Sequence, residues 1–144
     1  MSSPFTPPKA NLETLPSGVG PAPELWNPDA AGAWSIVLSP IFGSVLVMKN
    51  YQALGEADLA RTARNWMYGS IFMLFVTAFV GGAAGLVWIV IWYMMFQRKQ
   101  THYIRERWGK DYPKRGWLVP LLIGFGALVA AWVAIIAGLG LAAR

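Results

Sequence analysis

The sequence predicts an all-α integral membrane protein, and three observations carry that expectation. Only 13% of the 144 residues are charged, about half the share of an ordinary soluble domain, while 56% are hydrophobic. Asp, Glu, Lys, Arg and His are absent from residues 31–48, 66–96 and 116–143. Seven of the twelve basic residues fall between positions 97 and 116. So few charges cannot coat a soluble globule of this size. That argues against a soluble enzyme, a nucleic-acid-binding domain and a disordered regulator. The length allows one domain at most, a membrane domain over residues 25–144.

Residues 1–24 contain Pro4, Pro7, Pro8, Pro16, Pro21 and Pro23 and show no hydrophobic periodicity. They read as a disordered or extended Pro-rich tail. Residues 1–30 hold one basic residue, Lys9, and show no secretory signal, so insertion is expected to use an internal apolar segment. Cysteine is absent, which removes disulfides and thiol chemistry.

The first apolar segment, residues 33–48, would rise about 24 Å as a helix, short of the roughly 30 Å hydrocarbon core. Ser39-Pro40 interrupts it. Ser39 as N-cap and Pro40 at the first helical position would start a fresh helix towards Ala53. The segment is therefore expected to be a broken helix, a re-entrant element or an interfacial one, with a simple span as the alternative. Residues 49–65 form a polar connector. Gly55 suits a helix C-terminus there, and Asp58 can pair with Arg61 three residues on.

Residues 66–96 carry no charge and would make a helix about 46 Å long, too long for one upright span. Gly81, Gly82 and Gly85 lie in the middle. They allow either a turn, giving a short hairpin of segments 66–80 and 84–96, or a packing surface on one long tilted helix. Both flanks are basic. The loop 97–116 holds Arg98, Lys99, Arg105, Arg107, Lys110, Lys114 and Arg115. The positive-inside rule puts both flanks in the cytoplasm and favours the hairpin. The same seven residues would meet anionic lipid headgroups, which explains the basic loop more simply than nucleic acid does.

Residues 117–142 form a terminal transmembrane helix, with Trp117 as an interfacial anchor and Pro120 tolerated in the first turn. Gly126, Ala130, Ala134, Gly138 and Ala142 recur every four positions and make a smooth seam for close helix packing.

No ionisable group lies inside the apolar segments, so the bilayer region holds no proton relay or ion site. Ser35, Ser39, Ser44, Ser70 and Thr77 have no base near them in sequence and are expected to bond backbone carbonyls. His102 and Glu106 make two ligands at most, too few for a metal site. No catalytic residue, cofactor or metal is expected, and no enzyme activity.

Two stretches carry a resemblance: LWNPDAAGAWSIVLSPIFGS, from Leu25 to Ser44, and ERWGKDYPKRGW, from Glu106 to Trp117. Over about residues 25–140 the chain resembles a functionally uncharacterised family of small bacterial polytopic membrane proteins. The resemblance implies a multi-pass protein of the bacterial inner membrane. Some family members carry a small soluble domain ahead of this core, which implies a cytoplasmic N-terminus. The family transfers no catalytic residues. Read by their residues, the stretches set turns: Trp26-Asn27-Pro28 opens the first segment, and Gly109 to Pro113 stops the basic helix. The expected role is helix–helix binding to a membrane-protein partner or a second copy, as an accessory or assembly subunit or an immunity-type protein against a membrane-inserting toxin. An oligomeric passive channel or small-molecule transporter is the alternative.

Overall fold

Asn27 starts the first helix. Its backbone is extended (φ −58°, ψ 116°), as the residue before a proline prefers, and its side-chain oxygen accepts the Asp29 N–H at 3.0 Å. In this computed structural model, residues 20–142 are described, with the side chains of Ile135 and of residues 139–142 left aside. Most of the Pro-rich tail, residues 1–19, therefore lies outside the described residues, as does the Ala142 side chain. Helix α1 spans Pro28–Leu38 and α2 spans Pro40–Ala53. Between them Ser39 sits at φ 135°, which costs a non-glycine residue about 1–3 kcal/mol. The side-chain cap expected from Ser39 is not made. A capping residue needs a β-region backbone, and this φ lies outside it.

The break at Ser39 reverses the chain, so the first apolar segment is a hairpin rather than a simple span. Gly43 lets α2 lie directly on α1. A Cβ there would overlap the Ser35 hydroxyl and stand 2.5 Å from the Trp92 ring. The open ends are tied together as well. The Trp26 N–H donates to Asn50 Oδ1 at 2.9 Å, and Asn50 Nδ2 donates to the Trp26 carbonyl at 2.9 Å.

Gly55, at φ 74°, turns the chain into α3, Ala57–Val80. The Asp58–Arg61 pair forms at 3.4 Å but is highly exposed and contributes little. Ala60 and Ala63 of α3 pack with Val47, Tyr51, Trp92 and Phe96 in one buried cluster. At Gly81 (φ 105°) the chain reverses again into α4, Gly82–Trp92. Helix α4 runs through a π-turn, Tyr93–Gln97, into α5, Arg98–Trp108. The extra residue of the π-turn lets Phe96 and Gln97 both face inward. Helices α3 and α4 are antiparallel. Trp66 stacks on Phe96 with ring centroids 5.5 Å apart and touches Trp88, and the Gly85 position faces Thr77. Residues 66–96 thus form a hairpin, not one long helix.

Gly109 (φ 61°) ends α5. The following link pairs with Leu25: the Leu25 N–H donates to the Pro113 carbonyl at 3.0 Å, and the Arg115 N–H donates to the Leu25 carbonyl at 2.9 Å. Helix α6, Leu118–Ala142, then rises beside the first hairpin. Gly124 meets Leu38 and Phe42, and Phe125 meets Trp34 edge-on at 6.1 Å. Helix α6 is long and apolar enough to cross a membrane over Leu118–Gly138.

Both hairpins and α6 leave one polar base, formed by residues 20–27, 49–65 and 97–117. They reach different heights. Helix α1 is about 16 Å long, residues 66–80 rise about 22 Å, and α6 rises about 37 Å. Beside an apolar core, the burial pattern combines buried polar residues with a highly exposed apolar surface. Ser35, Ser44, Asn50, Ser70, Gln97 and Gln100 are buried, while Phe79, Leu118 and Val80 are 90%, 73% and 71% exposed.

Candidate functional site

Three features of this framework have the chemistry of a site: the buried amides at the base, the seam on α6 and the groove between α2 and α6.

The amides form a relay between elements distant in sequence. Asn50 Nδ2 reaches Gln100 Oε1 at 3.3 Å as well as the Trp26 carbonyl, and Gln100 Nε2 donates to the Val47 carbonyl at 3.0 Å. Gln97 Nε2 donates to the Pro28 carbonyl at 2.5 Å, and its Oε1 is buried without a partner. A bonded buried amide fixes the position of each strand of chain it touches, because breaking it leaves polar groups dry. This relay locks α1, α2 and α5 together and holds no nucleophile or base.

The hydroxyls play the same part. Ser35 donates to the Ala31 carbonyl at 2.6 Å, Ser70 to Trp66 at 2.8 Å and Thr77 to Leu74 at 2.8 Å. Ser44 and Ser70 also accept, from the indole N–H groups of Trp92 at 2.8 Å and Trp88 at 3.1 Å.

The basic residues expected to meet headgroups divide into two sets. Arg105 pairs with Asp29 at 2.7 Å. Arg107 pairs with Glu56 at 3.4 Å and lies 3.7 Å above the Tyr103 ring, whose hydroxyl also binds Glu56. Arg115 covers Trp26 at 4.8 Å, and Lys114 approaches Tyr112 at 5.5 Å. These four stitch the base together. Arg98, Lys99 and Lys110 are exposed. Burial first, and the Glu56 carboxylate second, push the Tyr51 phenol up to about 12, against a smaller opposing pull from Arg107. Burial and Asp29 raise Tyr112 in the same sense, with Arg105 opposing. Both phenols stay neutral near pH 7.

Of the three glycines at the middle of the hairpin, Gly81 makes the turn, Gly82 starts α4 in open space and Gly85 packs against Thr77. The turn is present, and the alternative of a packing surface on one long helix is not, because the helix breaks at Gly81. On α6, Gly126, Ala130, Ala134 and Gly138 are exposed, and nothing lies within 4 Å of a Cβ placed on Gly126 or Gly138. Helix α6 grips the fold through Gly124. At about 100° per residue, Gly126 points about 200° and Ala130 about 240° round from it, while Gly138 comes back to within about 40°.

The groove runs between α2 and α6 below Trp26 and Lys49, with a volume of about 590 Å³. Neither the amide relay nor the groove was anticipated from sequence. Gln97, Gln100 and Ile104 do recur at helical spacing among charged neighbours, a signal for an inward face. Comparison with protein-family models, curated proteins and solved structures gives no match.

Proposed function

We propose that this is a non-catalytic, multi-helix protein of the bacterial inner membrane that acts by helix–helix binding through the α6 seam. The polar base lies at the cytoplasmic headgroups, as its basic residues favour. Helix α6 crosses the bilayer, and the two hairpins dip in and return. Exposed Phe, Leu, Ile and Val along α1, α3, α4 and α6 support this placement, since each would cost about 1.5–3 kcal/mol to leave in water. Of the two sequence stretches that resemble the small bacterial membrane family, Leu25–Ser44 forms the entry and turn of the first hairpin and Glu106–Trp117 forms part of the base, and on this resemblance we propose that the chain is related to that family.

The observation that carries the binding role is the open seam. Gly126, Ala130, Ala134 and Gly138 are exposed, and Gly126 and Ala130 point well away from Gly124, through which α6 is held. Small residues let a second backbone approach closely, the main source of helix affinity where the hydrophobic effect is absent. The partner is a membrane protein or a second copy, in an accessory, assembly or immunity-type role.

A photo-crosslinking residue placed singly along α6 in native membranes tests this. Adducts are expected at 126, 130, 134 and 138 and not at 129, 132 and 136. Adducts spread evenly around the helix, or none, would refute it. Solute flux through liposomes of the purified protein, lost on Gly126→Leu, would favour the channel reading instead.

A further inference from the structure

We propose that the groove between α2 and α6 holds one acyl chain of an anionic phospholipid, with Lys49 binding its phosphate. Phe42 and Val45 wall one side, Ala127 and Ala131 the other, and Trp26 and Lys49 stand at the mouth. No carboxylate lines it. Lys49 is exposed and forms no ion pair among the described residues, so a cation stands over an apolar slot with no internal counter-charge. Lys49 also sits at the level of the polar base, where Asn50 ties α2 to Trp26. A phosphate at that level puts the attached chain beside the groove.

Size selects the occupant. From Val119 to Ala131 the groove follows α6 for about 18 Å, slightly more than half of a roughly 30 Å hydrocarbon core, which is the depth of one leaflet. The groove offers about 590 Å³. That is the volume of a small-ligand cleft. Gly126 points about 100° from Ala127, whereas Ala134 and Gly138 continue the Ala127–Ala131 stripe beyond the groove, so Gly126 is the seam position that tests a partner helix apart from the lipid.

This inference rests on the membrane placement proposed above. The test is native mass spectrometry of the full chain in detergent, titrated with phosphatidylglycerol or phosphatidylcholine. One phosphatidylglycerol should be retained, about fivefold more tightly than phosphatidylcholine, the effect of one lysine near an anionic phosphate. Lys49→Gln should remove that preference, while Arg61→Gln leaves it. Ala127→Phe should displace both lipids, with helicity by circular dichroism unchanged. Ala131→Phe, lower in the groove, provides the same readout if Ala127→Phe folds poorly. Glycerol phosphate, which has no chain, should not compete. Equal retention of the two lipids by the native chain overturns the inference. So does a Lys49→Gln protein that keeps the preference, or competition by glycerol phosphate. Gly126→Leu should abolish partner binding and leave lipid retention intact, so failure of the seam and failure of the groove are distinguishable.

Discussion

The α1–α2 hairpin and the α3–α4 hairpin both rise from the basic base and return to it, but different chemistry closes them. The first is closed by contact and by buried polar bonds. Gly43 brings its helices together, Asn50 ties its ends to Trp26, and the Trp92 indole donates into it through Ser44. The second is held near the base by Trp66, Trp88 and Phe96 and by one side-chain bond to Ser70. Above Ser70 none of the α3 residues is buried. Their turns differ in the opposite sense. The tight hairpin bends at a strained serine, and the loose one bends at a glycine that tolerates its φ. Tightness thus comes from the legs and not from the turn.

Both α4 indoles can be removed in turn, Trp92, which bonds Ser44 of the first hairpin, and Trp88, which bonds Ser70 within the second, and this should expose that difference most strongly. Trp92→Ala opens a cavity at the centre of the buried cluster and should cost about 3–5 kcal/mol. Trp88→Ala, on the half-exposed second hairpin, should cost well under half of that. Reversible unfolding from mild detergent into SDS measures both, and equal losses would break the comparison. Next in size is Asn50→Leu. It leaves the Trp26 N–H and carbonyl dry and should cost about 2–3 kcal/mol, with faster proteolysis before α1 as an independent sign. Ser39→Gly should stabilise the first hairpin by about 1 kcal/mol, because glycine removes the strain at φ 135°. An unchanged or lowered midpoint would show that Ser39 is not strained.

The smallest effect is one of pH. Tyr51 is raised in the folded protein from 10.0 to about 12, so the folded state favours its neutral form. That contribution is complete below pH 10 and is lost as pH rises from 10 towards 12. Midpoints for the native chain should fall over that interval more steeply than for Tyr51→Phe, which isolates this phenol from the lysines. Parallel curves would remove Tyr51 from the account.

Local punctuation was readable in the sequence. Ser39-Pro40, Gly55, Gly81 and Gly109 each mark a helix boundary, because a fixed or positive φ is a property of one or two residues. The all-helical class and the apolar length of α6 were readable for the same reason. Partner choice was not. Arg105 and Asp29 lie 76 positions apart, and Asn50 and Gln100 lie 50 apart. Such pairs follow from how the hairpins dock and leave no local pattern. The arginines of the base were therefore read as facing lipid, although Arg105, Arg107 and Arg115 each have a partner within the fold. The groove was hidden in the same way, since α2 and α6 start 78 positions apart.

The unequal heights of the three risers have a mechanical side. A slice just above the base cuts α1, α2, α3, α4 and α6, and a slice beyond Gly81 cuts α6 alone. Seated as proposed, the molecule displaces several times more lipid from the near leaflet than from the far one. A sheet whose two faces differ in area relaxes by bending, convex towards the crowded face. Each copy then acts as a wedge with its broad end on the basic side, and a cluster of copies would gather where the membrane already curves that way.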